Sequence, residues 1–365
     1  MKILCTKEDL LKGVNTVQRA ISSKSTLPIL QGIRLHTENN LLWFEATDLE
    51  IGIRCSLPLE IEEQGAVVLP ARLFSEIVRK LPDTPIRIES KDRNVEILYD
   101  NSNFIINGYD PEEYPEIAEI ASPENIEISS SLFTNMIRKT VFACATEETR
   151  PVFTGVLLHI EKEKISLVST DTHRLAFYKA VIPGNEKEFK GIIPSKTMQE
   201  VLRLLDEDQI LNIQYNEGRI IFKFDSIQIL TRLIEGQFPS YKQVIPQTCH
   251  TKLVVNSRNL LDTVERASLL SRDDYLKTNT VRFAIDNSML NINQHSEMGK
   301  ISEQINIEQE GEGVEISFNA KYITDVLKVI EAENVTMETS GAFNPCVFRP
   351  ENEEDYLYLV LPLRN

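Results

Sequence analysis

The residues best suited to chemistry are Asp171, His173 and Arg174, which bring an acid, an imidazole and a guanidinium together in the run STDTHRLA at 169–176. Side chains of these types can move protons or hold a phosphoryl group, so the run could belong to a hydrolase or a transferase. Nothing elsewhere completes such a site. His36, His159, His173, His250 and His295 have no metal-ligand spacing, and neither a G-x-x-x-x-G-K-[ST] loop nor a G-x-S-x-G elbow occurs. Cys5, Cys55, Cys144, Cys249 and Cys346 are odd in number, far apart and without a C-x-x-C pair, which signals no disulfide framework and fits a reducing cytosol. An Asp-x-His-Arg at a strand end is therefore read first as a turn or a binding feature, with no catalytic site, metal or cofactor expected.

A second set of residues points to an anion. Arg72 and Arg79, Lys196 and Arg203, and Lys321 and Lys328 each stand seven residues apart. Seven residues is nearly two helical turns, so each pair shares a face. Ser75, Gln199 and Thr324 lie between them, which predicts a cationic rather than a zwitterionic face. Exposed helix faces often carry bases for solubility alone, but three matched copies call for a partner with regularly spaced negative charge. Lys12 and Arg19, Arg138 aligned with Arg266, the adjacent Lys139, and Lys24 in the loop SSKSTLP extend the set.

These cations sit on a repeated element. VVLPARLFSEIVRKL, GIIPSKTMQEVLRLL and ISFNAKYITDVLKVI are one pattern written three times, with Ala71, Ser195 and Ala320 at intervals of 124 and 125 residues. Tyr114-Pro115 and Phe238-Pro239 repeat the 124-residue interval. An amphipathic helix near each repeat's start aligns Leu10, Leu132 and Leu260. The core stripes of the second helices read Leu73, Phe74, Ile77 and Leu81, then Met198, Val201, Leu202 and Leu205, then Tyr322, Ile323, Val326, Leu327 and Ile330. Alternating β-branched runs separated by Glu38-Asn39-Asn40 and Asn216-Glu217-Gly218 predict short antiparallel strands. The expected fold class is α+β: three tandem repeats, at 1–121, 122–247 and 248–365, each of two helices and about eight strands. The acidic, histidine-bearing run appears in only one repeat, which marks that repeat as specialised.

Composition bears on the partner. Asp and Glu number 55 against 39 Lys and Arg, a net charge of −16, which in bulk argues against a DNA-coating protein. Acidic clusters such as Glu60 to Glu63, Glu161 to Glu163, Asp206 to Asp208 and Glu351 to Asp355 fall at loops, however, and the bases fall on helices. The apolar run Ile3 to Cys5 is too short for a signal peptide or a span, so a cytoplasmic protein with no membrane partner is expected.

Over its whole length the chain resembles the bacterial β sliding clamps, the β subunits of DNA polymerase III. The resemblance rests on TLPIL at 26–30, ATDLEIGIR at 46–54, TRPVFTGVLL at 149–158, STDTHRLA, GQFPSYKQVIP at 236–246 and the terminal LVLPLRN. It implies a DNA-clamp fold and a head-to-tail homodimer whose six domains encircle duplex DNA without sequence preference, the helix cations facing phosphates and an acidic exterior facing out. It also implies partners: a replicative polymerase subunit, repair proteins with clamp-binding motifs, and an ATP-driven clamp loader. Those motifs, short and containing Gln with Leu or Phe, would enter a pocket between the second and third repeats. The matching residues are Phe153, Thr170, Thr172, His173, Arg174, Leu175, Pro239, Val244, Phe343, Pro345, Val360, Leu361, Pro362, Leu363 and Arg364. The dimer contact would join Phe104 and Ile106 to Leu269 and Leu270. Two departures touch the pocket: the family usually has Gly at Thr172 and often Met at Leu363. A DNA-independent repeat scaffold is the remaining alternative, and it leaves the three basic pairs unexplained.

Overall fold

The computed structural model describes residues 1–22, 27–117, 119–147, 149–206, 208–271, 279–296 and 299–364. The first repeat runs β1 (Lys2–Cys5), α1 (Lys7–Val17), β2 (Gly32–Glu38), β3 (Leu41–Thr47), β4 (Ile51–Pro58), β5 (Glu60–Glu63), β6 (Ala66–Pro70), α2 (Ala71–Lys80), β7 (Ile86–Lys91), β8 (Asn94–Tyr99) and β9 (Ser102–Asn107). The second runs β10 (Glu124–Ser129), α3 (Ser130–Arg138), β11 (Gly155–Glu161), β12 (Lys164–Thr170), β13 (Arg174–Val181), β14 (Glu188–Pro194), α4 (Ser195–Leu204), β15 (Ile210–Tyr215), β16 (Arg219–Phe224) and β17 (Ile227–Arg232). The third runs β18 (Thr251–Asn256), α5 (Ser257–Ser268), β19 (Thr280–Asp286), β20 (Met289–Ser296), β21 (Gly299–Asn306), β22 (Glu308–Gly311), β23 (Val314–Asn319), α6 (Ala320–Leu327), β24 (Asn334–Thr339), β25 (Cys346–Pro350) and β26 (Tyr356–Val360).

Local chemistry explains the boundaries. The second helix of each repeat starts at the aligned Ala71, Ser195 or Ala320, directly off a strand. Thr6 and Asp9 form a reciprocal capping box on α1, while Asn256 and Asn319 cap α5 and α6. Asn39 and Asn40 take φ of 51° and 60°, the left-handed pair that a tight β2–β3 hairpin needs. Gly13 lets α1 close on Phe44, since a Cβ there would stand 2.5 Å from the ring.

Two helical registers differ from the sequence expectation. On α2 the buried face is Ala71, Phe74, Ser75 and Val78, and Leu73 is exposed. In the second repeat the residue equivalent to Leu10 and Leu260 is Phe133, one position after Leu132; all three are fully buried. A one-residue slip turns a helix face by about 100°, enough to exchange inward and outward positions.

The chain packs as two compact units. The first comprises Met1–Leu132 and Gln199–Leu233, the second Phe133–Met198 and Ile234–Asn365. In the first unit one sheet has the order β5-β1-β7-β8-β9 and the other β10-β15-β16-β17-β4-β3-β2-β6. In the second unit the orders are β14-β11-β12-β13-β26-β25-β24-β18-β22 and β21-β20-β19-β23. Neighbouring strands pair antiparallel, and each large sheet crosses from one repeat to the next. The crossings are β17 on β4, with Ile229 opposite Ile53, and β13 on β26, with Leu175 opposite Leu359. The central repeat thus gives four strands to each unit. Backbone pairing, which ignores the sequence repeat, makes the sheet rather than the repeat the unit of packing.

Candidate functional site

Asp171, His173 and Arg174 form the turn between β12 and β13. The Asp171 carboxylate accepts the backbone N–H groups of His173 and Arg174 at 3.0 Å each and the Arg174 Nε at 2.9 Å. Thr170 Oγ1 donates to the Arg174 carbonyl and accepts the Thr172 N–H. Both oxygens of Asp171 are thus engaged in shaping the turn, an Asx arrangement. The His173 ring stacks instead on Tyr322, with centroids 6.4 Å apart.

The backbone geometry of this turn recurs in the first repeat, while the histidine and arginine stay confined to the second. Thr47, Asp48 and Leu49 repeat its backbone and hydroxyl bonds, but not the one from Arg174 Nε: Thr47 Oγ1 to the Ile51 carbonyl, Leu49 N–H to Thr47 Oγ1, and the Glu50 and Ile51 N–H groups to Asp48 Oδ1. Leu49 and Thr172 share a φ of 78°. Thr172 therefore holds, with a β-branched side chain, a left-handed position that suits glycine. What differs between the two turns is their surroundings. After Asp48 the strand carries Gly52, on which Ile117 packs so closely that a Cβ would meet it at 3.1 Å, and Ile120 is buried. At the equivalent places of the second unit stand Leu175 and Val244, and Val244 is 52% exposed. The first repeat covers its apolar surface here; in the second unit Val244 stays exposed.

Strand register gathers the groove's walls. Leu175 faces Thr170 and Leu359, Arg174 faces Val360, and Val360 faces Cys346. The turn 171–173, the tail after Val360 and the segment before Cys346 therefore meet at one end of the sheet. Leu361 N–H bonds the His173 carbonyl at 2.8 Å, and Leu363 N–H bonds the Ser317 carbonyl at 2.8 Å. Phe238 and Tyr241 pack with Leu175, Val347 and Leu359 beneath, and Phe153 meets Phe238 edge to face. Of the fifteen expected groove residues, Phe153, Arg174, Leu175 and Val360 are buried. Thr170, Pro345, Pro362 and Leu363 are half-buried, while Thr172, His173, Pro239, Val244, Phe343, Leu361 and Arg364 reach solvent. Phe343 at 67% and Leu361 at 37% exposure join Val244 as apolar surface left uncovered by the described residues. Two contributors escaped the sequence reading, Tyr322 and Asp325. Asp325 lies four residues after Lys321, a spacing that was legible.

The cations divide. Arg72, Arg79, Arg138, Lys196, Arg203, Arg266, Lys321 and Lys328 are exposed, and Lys24 lies outside the described residues. Lys139 is a correction: it is 4% exposed, its ammonium 2.5 and 2.6 Å from the Glu353 carboxylate and over the faces of Tyr178 and Tyr356. It fills a core position. The faces are also less purely cationic than the residues between the pairs predict. Arg72 pairs with Glu76, Arg203 with Glu200, Lys321 with Asp325, Lys328 with Glu265, Arg138 with Glu331 and Arg266 with Glu303. The bond from Arg266 holds the Glu303 carboxyl below its usual range against the opposing effect of burial. Exposed pairs of this kind are weak, so a phosphate can replace the carboxylate at little cost. In the third repeat Arg266, Lys321 and Lys328 line one polar cavity of about 660 Å³ with Asp262, Glu265 and Asp325.

The expected dimer residues fall at two sheet edges. β9 is the outer strand of its sheet; Phe104 is 40% exposed and stacks on Tyr99, but Ile106 is buried and completes its own domain. Ile105, between them, is 68% exposed, although alternation sets it on the face opposite Phe104. β21 is likewise an outer strand, and Leu269 beside it is 57% exposed, with Leu270 half-buried against it. Among the described residues no helix is long and apolar enough to cross a membrane, and no group of three or more His, Cys, Asp or Glu could hold a metal.

Three repeats of two helices and antiparallel strands, joined by sheets that run from repeat to repeat and carrying exposed cations on their helices, define the sliding-clamp class, the processivity subunits of DNA replication. Family models for the N-terminal, central and C-terminal domains of the DNA polymerase III beta subunit match residues 1–118, 127–240 and 242–364. The chain belongs to that family. It is 36% identical to the beta sliding clamp of Bacillus subtilis over all of both chains, and 34% identical to that of Halalkalibacterium halodurans over the same coverage. The crystal structure of the Bacillus subtilis DNA polymerase sliding clamp superposes with a TM-score of 0.96 at 35% identity, covering 100% of this chain and 99% of that one. A DNA polymerase III beta subunit from Thermotoga maritima gives 0.92 at 29% identity, with the same coverage.

Proposed function

We propose that two copies of this chain close head to tail into a ring of six repeats that surrounds duplex DNA and tethers a polymerase to it. The observation that carries this reading is a rule of pairing. β4, β13 and β21 hold the same place in the three repeats, as do β9, β17 and β26. Within the chain, the β4-type strand of each repeat pairs with the β9-type strand of the next: β4 with β17, then β13 with β26. The rule leaves β21 at one end and β9 at the other. A second copy supplies the missing partner for each, joining the four-stranded sheet to the five-stranded one and recreating the nine strands of the internal sheet. Such a contact removes two open edges, which are otherwise sites of unwanted pairing.

The exposed helix cations, Arg72, Arg79, Lys196, Arg203, Lys321, Lys328, Arg138 and Arg266, then contact phosphates without reading sequence, and a net charge of −16 keeps the exterior from adhering to DNA. The groove of Thr172, His173, Val244, Phe343 and Leu361 takes the Gln- and Leu/Phe-containing segments of the replicative polymerase and of repair proteins, and an ATP-driven loader opens the ring in the cytoplasm. The experiment is retention on DNA. Protein loaded onto nicked circular plasmid should co-elute with it in gel filtration and be lost when the plasmid is linearised. Reversing Arg72, Arg203 and Lys328 to Glu should flatten the salt dependence, by about 0.9 in log–log slope for each phosphate no longer neutralised. Retention on linear DNA, or an unchanged slope, would reject the reading.

A further inference from the structure

The Arg174 guanidinium, in a residue only 6% exposed, is engaged on every side. Its Nε donates to Asp171, its Nη2 to the Phe142 carbonyl at 2.8 Å and its Nη1 to Asp325 Oδ2 at 2.7 Å, while the Tyr322 ring lies 4.5 Å away. Asp325 Oδ2 accepts a second bond, from Lys321 Nζ at 2.8 Å, one turn earlier on α6. The Lys321 side chain is 65% exposed and belongs to the row of cations turned toward solvent. A single carboxylate oxygen therefore ties the turn that walls the peptide groove to the helix face that meets DNA.

We infer that Asp325 is a positioning residue that makes peptide binding in the groove depend on DNA in the ring. The inference rests on the proposed roles of those two surfaces. A phosphate that draws Lys321 away leaves the Asp325 charge less neutralised, and its bond to Arg174 strengthens. Arg174 is fastened to Asp171 and so to the 171–173 turn, whose His173 carbonyl holds Leu361 on the opposite wall. A more firmly held Arg174 fixes both walls in the shape a peptide needs, and a groove ordered in advance binds more tightly. Linkage makes the effect mutual: a bound peptide prolongs the hold on DNA. The size of the effect is bounded by the Lys321–Asp325 pair, an exposed i,i+4 contact that corresponds to about two-fold in affinity.

The test measures fluorescence polarisation of a labelled peptide containing Gln, Leu and Phe, with full-length protein free and loaded on nicked circular plasmid. Wild type should bind about two-fold more tightly when loaded. Lys321→Gln should bind with the loaded wild-type affinity in both states. Lys328→Gln removes the same charge from the opposite end of the same helix, where the lysine pairs with Glu265 rather than Asp325, and should keep the two-state difference. Asp325→Asn leaves a buried guanidinium short of a partner and risks misfolding, so the exposed Lys321 carries the test. Equal affinities for free and loaded wild type, or disappearance of the difference in Lys328→Gln as in Lys321→Gln, would overturn the coupling while leaving both sites standing. A peptide that binds neither form would overturn the groove assignment and the coupling together.

Discussion

Replacing Leu269 with Asp should open the ring. Leu269 is 57% exposed in one copy and stands beside the β21 edge. Full burial of a leucine is worth about 2–3 kcal/mol, so covering this exposed fraction contributes about 1.5 kcal/mol at each interface. A closed head-to-tail dimer has two such interfaces, which brings the cost to about 3 kcal/mol, or roughly a hundred-fold in the dimer dissociation constant. Aspartate adds the cost of desolvating a carboxylate facing Phe104 and Ile105, which takes the total beyond about a thousand-fold. Sedimentation equilibrium across a dilution series should show monomer where the wild type remains dimeric, and far-UV circular dichroism should be unchanged because the side chain is mostly exposed in the single copy. A variant that stays dimeric at the same concentrations would refute both the assignment of β21 to the interface and the pairing rule behind it.

Glu353→Ala should lower stability by about 3 kcal/mol, because the buried Lys139 ammonium loses its counter-charge and keeps only two tyrosine faces; Lys139→Met with Glu353→Leu should recover most of that in urea unfolding, and a harmless single substitution would contradict the burial. Thr172→Gly should raise the urea midpoint by the equivalent of about 1 kcal/mol, since relief of a β-branched residue at φ 78° exceeds glycine's extra unfolded freedom; a lower midpoint would show the turn unstrained. Ellman's reagent should modify one thiol of the native protein quickly, the exposed Cys249. Burial pushes Cys5, Cys55 and Cys144 up to about 12 and Cys346 well above its usual value, so their thiolates are scarce until the chain unfolds; fast reaction of two or more thiols would contradict this.

Much of the site was legible because its signals are periodic. Helical spacing placed Arg72, Arg203, Lys321 and Lys328 on solvent faces, and the threefold repeat predicted where α2, α4 and α6 begin. Lys139 was misassigned because charge type predicts exposure only until a partner such as Glu353, 214 residues away, compensates it inside. Ile106 and Ile105 exchanged roles for a related reason: alternation says that two faces differ, and only the packing beneath a strand says which one is inward.

The sequence by itself determined the three repeats, the helices and their cations, and the chemistry of the 171–174 turn, because these depend on local spacing and short-range hydrogen bonds. Tertiary structure alone decided how the repeats join. Strand pairing is carried by backbone groups that every residue shares, so no side-chain pattern announces that β4 meets β17, or that β13 meets β26 and leaves β9 and β21 open. It likewise decided what covers the surface beside two turns of the same backbone geometry: Ile117 packs on Gly52 beside one, and Val244 stays exposed in the unit that holds the other.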